Sequence, residues 1–190
     1  MIYKIFWILK SLIYAPFLGS FGFPSYIAKP IYLNRLSQIH LSKRVRIFPH
    51  SRIEVTNKES KIIFGENISI GQNLHITSGG ELFIGKNTTI LENVMITDID
   101  HDYKEIGKHI LDQEYIISKT EIGENCFIGF GAVIQAGTIL GKQCIVGANA
   151  VVRGTFPDYC VIVGVPGKII KRFNPKSKTW EKTNSSGEYI

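Results

Sequence analysis

A histidine flanked by aspartates is the most chemically suggestive feature of this sequence. His101 lies in a polar stretch, residues 97–115, with Asp98, Asp100 and Asp102 around it. Imidazole titrates near ~6.5, so it can accept and return a proton at neutral pH. A neighbouring carboxylate can orient the ring or hold a polar substrate. These residue types predict a general base at His101. The stretch also contains His109, which we expect to belong to the loop itself.

The polar stretch interrupts a six-residue repeat of aliphatic residues. A period of six fits neither the 3.6 of a helix nor simple strand alternation, and it indicates a parallel β-helix. Glycine follows many of the repeated positions, where a Cβ would crowd a corner or φ must be positive. The repeated positions are Phe64, Ile70, Ile76, Ile84, Ile90, Ile96, Ile122, Ile128, Ile134, Leu140, Val146 and Val152.

Three repeats should make one triangular coil, so residue n should stack on residue n+18. Cys126 with Cys144, and Asn125 with Gln143, have this separation. We count well-marked coils at 64–81, 84–101, 122–139 and 140–157, with a weaker start at Ile47 and Ile53, and expect four to six coils in all. A rigid solenoid holds the ends of an insertion, so the interruption at 97–115 is expected to be functional.

Over residues 20–175 the chain resembles the hexapeptide-repeat acyltransferases. The resemblance implies an all-β, left-handed parallel β-helix, an acetyl-CoA co-substrate and a homotrimer with active sites between subunits. His101 follows Gly85 at the spacing at which the galactoside and maltose acetyltransferases also have a histidine. Phe127-Ile128-Gly129-Phe130 matches their Trp-Ile-Gly stretch, so the resemblance assigns the backbone N–H of Phe130 as the oxyanion donor.

The resemblance also implies where the two substrates bind. The pantetheine arm of coenzyme A is expected along the last coils, at Gly129, Phe130, Gly147 and Ala148. The segment 163–168 matches the family's closing Gly-x-Pro motif. The cations expected to meet the phosphates of coenzyme A are Arg153, Lys168 and Lys171. The side chains expected to contact the acceptor sugar are Asp98, Asp100 and His75. The resemblance implies no metal.

The positive charge of the chain is concentrated at its N-terminus. Residues 1–53 contain eight Lys and Arg and no Asp or Glu, whereas the whole chain has a net charge of +6. No nucleic-acid-binding motif accompanies this charge.

Residues 1–18 are largely apolar, and Tyr3, Trp7 and Tyr14 fall near one face of a helix. Aromatic rings with nearby lysines are typical of a helix at a bilayer interface. The alternative is a helix packed on its own trimer.

The composition favours a single solenoid domain in a reducing compartment. We expect an N-terminal leader at 1–24, the solenoid at 25–173 and a loosely packed polar tail at 174–190. The three cysteines, Cys126, Cys144 and Cys160, have no metal-ligand spacing, and stacked thiols are expected in the core. These features predict a cytoplasmic protein, with contact to the inner membrane surface through residues 1–18.

The predicted activity is transfer of an acetyl group to a hydroxyl of a surface polysaccharide or a lipid-linked glycan precursor. The Asp-His-Asp-Tyr loop and the apolar, basic leader resemble capsule and O-antigen modifying members of the family. N-acylation of an amino sugar or nucleotide sugar is the alternative within acyl transfer. A metal-dependent hydratase of the γ-carbonic anhydrase kind is disfavoured because His75, His101 and His109 lack its ligand spacing. A non-catalytic scaffold would not need the loop histidine.

Overall fold

The protein is a parallel β-solenoid preceded by one helix. The structure, a computed structural model, describes residues 2–190, and its side chains from Lys4 onwards. The helix α1 spans Ile2–Tyr14, and three short 3₁₀ turns lie at Ala15–Phe17, Leu36–Gln38 and Ile110–Asp112. The parallel β-helix predicted from the repeat is confirmed, with six complete coils and an incomplete seventh, against the four to six expected.

The strands are short, as a six-residue repeat requires. The first two coils contain β1 (Ser20–Gly22), β2 (Tyr26–Ile27), β3 (Tyr32–Leu33), β4 (Ile39–Lys43), β5 (Arg46–Ile47) and β6 (Arg52–Val55). The third and fourth coils contain β7 (Lys61–Phe64), β8 (Ser69–Ile70), β9 (His75–Ser78), β10 (Glu81–Ile84), β11 (Thr89–Ile90) and β12 (Met95–Thr97). A hairpin of β13 (Ile99–His101) and β14 (Tyr115–Ile117) follows.

The solenoid resumes after this hairpin. The fifth and sixth coils contain β15 (Glu121–Ile122), β16 (Phe127–Ile128), β17 (Val133–Ile134), β18 (Ile139–Leu140), β19 (Ile145–Val146) and β20 (Val151–Val152). The last coil contains β21 (Thr155–Phe156) and β22 (Cys160–Val163), and β23 (Lys168–Asn174) and β24 (Thr179–Lys182) end the chain. The first coil begins at Ser20, within the leader predicted at 1–24.

Parallel pairing sorts these strands into three faces of a triangular prism. Face A contains β1, β4, β7, β10, β15, β18 and β21, and face C contains β3, β6, β9, β12, β17 and β20. Face B contains β2, β5, β8, β11, β16, β19 and β22, and β23 and β24 extend it as antiparallel strands. The chain runs from A to B to C in each coil. We therefore call its turns the A–B, B–C and C–A corners.

The repeated aliphatic residues point inward and stack in register. Ile122 pairs with Leu140, Ile128 with Val146, and Ile134 with Val152, so the predicted spacing of eighteen holds in the C-terminal coils. Earlier coils are longer. Phe64 pairs with Ile84, and Ile70 with Ile90, a spacing of twenty. These residues are buried in a single hydrophobic core that runs the length of the prism. Cys126, Cys144 and Cys160 are buried free thiols within it, as predicted.

Asparagine and glycine have different functions at the corners of the prism. Asn67, Asn87 and Asn125 at the A–B corner have φ of 58° to 59°, in the left-handed region. The glycines that follow the repeated aliphatic residues do not need positive φ. They are required by close stacking, since a Cβ on Gly85 would lie 2.5 Å from the backbone of Gly123. Of the two reasons expected for these glycines, crowding is the one that applies.

Helix α1 packs on the first two coils by one face and exposes the other. The Trp7 ring lies 5.5 Å from that of Tyr26 and 5.8 Å from that of Phe48, between centroids. The hydroxyl of Ser11 accepts a hydrogen bond from the Ile27 N–H at 2.9 Å, and Tyr14 packs on the core. The prediction that Trp7 and Tyr14 face a bilayer is therefore wrong. The side chain of Tyr3 lies outside the described residues.

The opposite face of α1 is apolar and exposed. It is formed by Ile5, Phe6, Leu9, Leu12 and Ile13. Among residues 2–190, no helix has both the length and the apolar character needed to span a bilayer.

The polar tail is more ordered than its composition predicts. β23 and β24 form an antiparallel pair on face B, with Phe173 opposite Trp180, and an isolated bridge joins Thr183 to Tyr189. Strand pairing on an existing sheet edge compensates for the few apolar side chains in this segment.

Candidate active site

His101 is presented by the β13–β14 hairpin at the C–A corner of the fourth coil. It pairs with Tyr115 across the hairpin, and the two rings meet edge to face at 5.0 Å between centroids. The antiparallel pair leaves the imidazole exposed at the end of β13. This arrangement gives a titratable side chain a fixed backbone and an open approach, as a general base requires.

Asp98 anchors the hairpin to the prism. Its side chain is buried and accepts three hydrogen bonds: from the Ser78 hydroxyl at 2.8 Å, the Gly79 N–H at 2.7 Å and the Gly80 N–H at 3.0 Å. A buried carboxylate with this many donors stabilises the local backbone. Asp98 was expected to hold the acceptor sugar, but its hydrogen-bonding capacity is directed inward.

A cavity of about 250 Å³ with mixed polar and apolar walls lies between His101 and face C. Its walls come from outward-facing positions of β6, β9 and β12 and from the hairpin. The lining residues are Glu54, Thr56, Thr77, Met95, Thr97, Ile99, His101 and Tyr115. Hydroxyl groups and a carboxylate can hydrogen-bond a polyhydroxylated molecule beside the imidazole. Glu54, Thr56 and Thr77 were not among the residues predicted from the sequence, although strand alternation places them on the outer surface.

Asp100 and Arg153 join the hairpin to the sixth coil. The Arg153 guanidinium lies 2.6 Å from the Asp100 carboxylate. Both residues lie on the C–A side of the prism, since Arg153 follows β20. The pair is half-exposed, so it contributes little to stability and chiefly restricts the hairpin. Arg153 was expected to meet a phosphate of coenzyme A and Asp100 the sugar, but in this structure they hold each other.

The other two histidines of this region have separate roles. His75 lies exposed on β9, with Arg52 as its register partner on β6. Although the side chain is exposed, partial desolvation of its ring against the sheet lowers the pKa of His75, and the Arg52 guanidinium lowers this pKa further. His109 belongs to the loop, as expected, and its Nδ1 accepts a hydrogen bond from the Leu111 N–H at 3.2 Å, which caps a turn of the loop. In the described residues no group of three or more His, Cys, Asp or Glu could hold a metal ion.

A second set of predicted residues lines the B–C corner. Gly129 and Phe130 turn this corner in the fifth coil, and Gly147 and Ala148 turn it directly above in the sixth. Within residues 2–190, the N–H groups of Phe130 and Ala148 donate to no other group. The N–H of Glu92, one coil below, is also free, so this donor row is a property of the corner. Preorganised N–H groups of this kind can bind an oxyanion or an amide carbonyl.

The turn at residues 163–168 packs against the B–C corner of the sixth coil. The N–H of Gly167 donates to the Val151 carbonyl at 2.7 Å, and the N–H of Val151 donates to the Gly164 carbonyl at 3.1 Å. A Cβ on Gly147 would lie 2.8 Å from Val163, so glycine allows the turn to approach closely. Lys168 and Lys171 follow on β23, where both are exposed. Lys168 lies at this edge, opposite Val163, whereas Lys171 lies opposite Val161 within face B.

His101 and Phe130 of one chain are not brought together. His101 lies at the C–A corner and Phe130 at the B–C corner, on opposite sides of face C. About six residues of extended chain separate these corners, a distance on the order of 15–20 Å. Phe130 does not line the cavity beside His101. A site that uses both groups cannot be completed by this chain alone.

Comparison with known proteins supports the interpretation of the repeat. Residues 119–154 match the family described as bacterial transferase hexapeptide (six repeats). The chain is 36% identical over 132 residues to an Escherichia coli K12 protein named as a lipopolysaccharide biosynthesis O-acetyl transferase, WbbJ, covering 64% of this chain and 65% of that one. It is 32% identical over 146 residues to a Mycobacterium tuberculosis protein named as an acetyltransferase, covering 77% and 47%.

A solved structure resembles the whole solenoid. AntD, an N-acyltransferase from Bacillus cereus crystallised with dTDP and 3-hydroxybutyryl-CoA, aligns with a TM-score of 0.72 and 19% identity. The alignment covers 88% of this chain and 90% of that one, and at this identity it reports the fold. The chain spans between about half and two thirds of the length of the two sequence relatives.

The fold and site define a β-solenoid with a histidine-bearing loop inserted between its coils. Residues 119–154 match the hexapeptide-repeat transferase family, and the chain is similar to relatives named as acetyltransferases.

Proposed function

We propose that this protein transfers an acetyl group from acetyl-CoA to a sugar hydroxyl of a surface polysaccharide or its lipid-linked precursor. The observation that carries this proposal is the exposed imidazole of His101 above a cavity lined by threonine hydroxyls and Glu54. The names of the sequence relatives, an O-acetyltransferase of lipopolysaccharide biosynthesis and an acetyltransferase, support it.

In this mechanism His101 removes the proton from the acceptor hydroxyl as its oxygen attacks the thioester carbonyl carbon. The negative charge that develops on the carbonyl oxygen is stabilised by the N–H of Phe130. The intermediate collapses with cleavage of the carbon–sulfur bond. The imidazolium of His101 then returns its proton to the departing thiolate, so the enzyme ends in its starting state. No acyl-enzyme is formed.

Coenzyme A fits the B–C corner by its chemistry. The free N–H of Ala148 matches an amide carbonyl of a pantetheine arm whose thioester end lies at the Phe130 N–H, and Gly129 and Gly147 leave the edge without side chains. Lys168 and Lys171 supply exposed cations for its phosphates. AntD, which shares this fold, was crystallised with an acyl-CoA, and this agrees with the assignment.

We propose a homotrimer in which His101 of one subunit faces Phe130 of the next. The separation of these two groups within one chain supports this assembly. The hairpin loop also exposes large apolar side chains, among them Ile106 and Leu111, 97% and 69% exposed. A neighbouring subunit would bury such side chains and complete the site.

We also propose that α1 holds the protein at a membrane surface. Its exposed apolar face could enter the interfacial region of a bilayer, and Lys4 and Lys10 on the same helix could contact anionic headgroups. The face of α1 that carries Trp7 and Tyr14 packs on the prism. The opposite face, which carries the exposed aliphatic residues and Phe6, would therefore contact the membrane. A lipid-linked acceptor would then be concentrated where the enzyme is bound.

The activity is tested by acetyl transfer from radiolabelled acetyl-CoA to a panel of hydroxyl- and amine-bearing sugars. His101→Gln should lower kcat by about 10²–10⁴-fold, the usual contribution of a general base, while coenzyme A still binds in calorimetry. His109→Asn is the matched control, because it changes a histidine of the same loop and keeps an acceptor for the Leu111 N–H. Near-normal turnover by His101→Gln would contradict the role of this residue. Transfer to amines alone would favour N-acylation.

A further inference from the structure

A second, basic cavity lies on the same corner of the prism as His101. It has a volume of about 240 Å³ and is lined by Arg35, Ser37, Gln38 and Lys58. Arg35 turns the C–A corner between β3 and β4, and Lys58 turns it between β6 and β7. The cavity thus belongs to the first two coils, below the hairpin that carries His101.

The two cations of this cavity have no charged partner in the protein. None of the ion pairs formed within residues 4–190 includes Arg35 or Lys58. Glu59 is next to Lys58 in sequence, yet it forms no ion pair with it. Two other cations on this side of the prism are paired, Arg52 with Glu54 at 2.6 Å and Arg153 with Asp100 at 2.6 Å.

The backbone beneath both cations is held in place by asparagine side chains. Arg35 has φ 44° and ψ 53°, a left-handed conformation that costs a non-glycine residue about 1–2 kcal/mol. Asn34 fixes this turn, since its side chain accepts from the Val55 N–H at 2.8 Å and donates to the Val55 carbonyl at 3.1 Å.

The turn that carries Lys58 is fixed in the same way. The side-chain oxygen of Asn57 accepts hydrogen bonds from the N–H groups of Glu59 at 3.0 Å and Ser60 at 2.8 Å. The Ser60 hydroxyl also donates to this oxygen, at 2.7 Å. Both cations therefore project from ordered turns, so less conformational entropy is lost when they bind an anion.

The basic cavity adjoins the cavity beside His101. Thr56 lines the His101 cavity, and Lys58, two residues further on, lines the basic one. The hairpin leaves the fourth coil, whereas Lys58 and Arg35 lie in the second and first. Two to three coils at ~4.8 Å each place the cations roughly 10–15 Å from the base. A sugar ring, the diphosphate on its anomeric carbon and one hydrogen bond at each end together cover a span of this order.

We propose that Arg35 and Lys58 bind the phosphate groups of an acceptor whose sugar is linked to a diphosphate. This inference rests on the proposed transfer to a sugar hydroxyl, and it assigns the substrate to the sugar diphosphates rather than to finished polysaccharide. Guanidinium and ammonium groups suit phosphate oxygens, and Ser37 and Gln38 add neutral donors. The sugar would lie against Thr56 and Thr77, with its reacting hydroxyl at His101. A nucleotide sugar and a polyprenyl diphosphate sugar share this chemistry.

Binding is tested first, because it does not depend on the reaction. The probe is inorganic pyrophosphate, titrated by calorimetry in the presence of saturating coenzyme A to occupy the other phosphate site. Arg35→Gln/Lys58→Gln should raise Kd by about ten- to a hundred-fold, the value of one or two charge-assisted hydrogen bonds. Lys43→Gln/Arg44→Gln, which removes the same charges at an A–B corner, is the matched control and should leave Kd unchanged.

Kinetics then separate the two sources of the diphosphate. Soluble nucleotide sugars and polyprenyl diphosphate sugars in vesicles are each offered as the acceptor. For the acceptor that is acetylated, Arg35→Gln/Lys58→Gln should raise KM by about ten-fold or more and leave kcat unchanged. The KM for the same sugar as a neutral methyl glycoside should not change.

Failure of this inference can be told apart from failure of the proposed activity. Absence of pyrophosphate binding by the wild-type protein, or equal binding by wild type and Arg35→Gln/Lys58→Gln, would overturn the site. The variant could lose pyrophosphate binding while the wild type transfers acetyl to no acceptor. This result would support the phosphate site and contradict the proposed activity.

Discussion

His101 and Phe130 contribute to the proposed reaction through different parts of the residue. His101 acts through its side chain, so its type is essential and its backbone only positions it. Phe130 acts through its backbone N–H, so its side chain can change without loss of the donor. The bulky ring of Phe130, 44% exposed, is therefore no argument against this assignment.

The role of the Phe130 N–H can be tested by removing only that group. Phe130→Pro deletes the donor, and proline is suited to the second position of a turn whose next residue, Gly131, has φ 67°. We expect kcat to fall by about 10²–10³-fold, the usual cost of losing one oxyanion donor. Phe130→Ala, which keeps the N–H, should retain most of the activity. Equal loss in both variants would assign the role to the ring.

His75 should make stability depend on pH. Its folded-state pKa lies below the value of 6.5 expected in the unfolded chain, because burial and Arg52 disfavour its charged form. The unfolded chain then binds more protons in this range, so the free energy of unfolding decreases as pH falls through 6.5. In urea titrations between about pH 7.5 and 5.5, wild type should lose more stability than His75→Gln. Identical pH dependence of the two proteins would contradict the shift.

At the scale of single elements, α1 shows how one helix can serve two surfaces. Trp7, Ser11 and Tyr14 bind it to the first two coils, while Leu9 and Ile13 point away from them. Its orientation is fixed, so the exposed face presents a continuous apolar stripe with lysines beside it. Exposed apolar stripes of this kind mark interaction surfaces.

Binding of α1 to lipid should depend on this exposed stripe. Leu9→Gln/Ile13→Gln should weaken co-sedimentation with anionic vesicles by at least about ten-fold, because burial of each side chain contributes roughly 1.5–3 kcal/mol. The variant should remain folded, since neither side chain packs on the prism. The matched control is Ile31→Gln/Ile190→Gln, whose side chains are 68% and 82% exposed elsewhere. Unchanged sedimentation of Leu9→Gln/Ile13→Gln would instead favour contact between α1 and another protein surface.

At the scale of the whole molecule, the prism separates the two halves of the proposed site. The base lies on the C–A corner and the oxyanion donor on the B–C corner, so a threefold assembly can bring the two corners of neighbouring chains together. The groove between two prisms would then have one wall from each subunit. Such an assembly explains why a single chain exposes the apolar hairpin loop.

A shared site predicts complementation between inactive subunits. Light scattering should give a mass near three times 21.4 kDa. His101→Gln and Phe130→Pro should each be inactive alone, and trimers formed by refolding a mixture of them should recover activity. In a mixed trimer, one subunit supplies an intact His101 and its neighbour an intact Phe130 N–H. A monomeric mass, or mixtures that stay inactive, would show that the site does not lie between subunits.

The sequence by itself determined the solenoid, the interruption that carries His101 and the burial of the three cysteines. These features depend on local periodicity, since each inward aliphatic residue must stack on its equivalent in the next coil. The six complete coils are at the upper end of the four to six expected, but the spacing of eighteen does not hold for the first three coils, which contain twenty residues or more. The helical character of the N-terminus was also evident from its apolar residues.

Only the tertiary structure decided which charged residues are free to bind ligands. Asp98, Asp100 and Arg153 were natural candidates from their positions, yet Asp98 bonds Gly79 and Gly80 and the other two pair with each other. The direction of α1, the pairing of the polar tail and the unpaired state of Arg35 and Lys58 also emerged only from the fold. The physical reason is that these features depend on neighbours one or more coils away, whose side-chain directions the six-residue repeat does not specify.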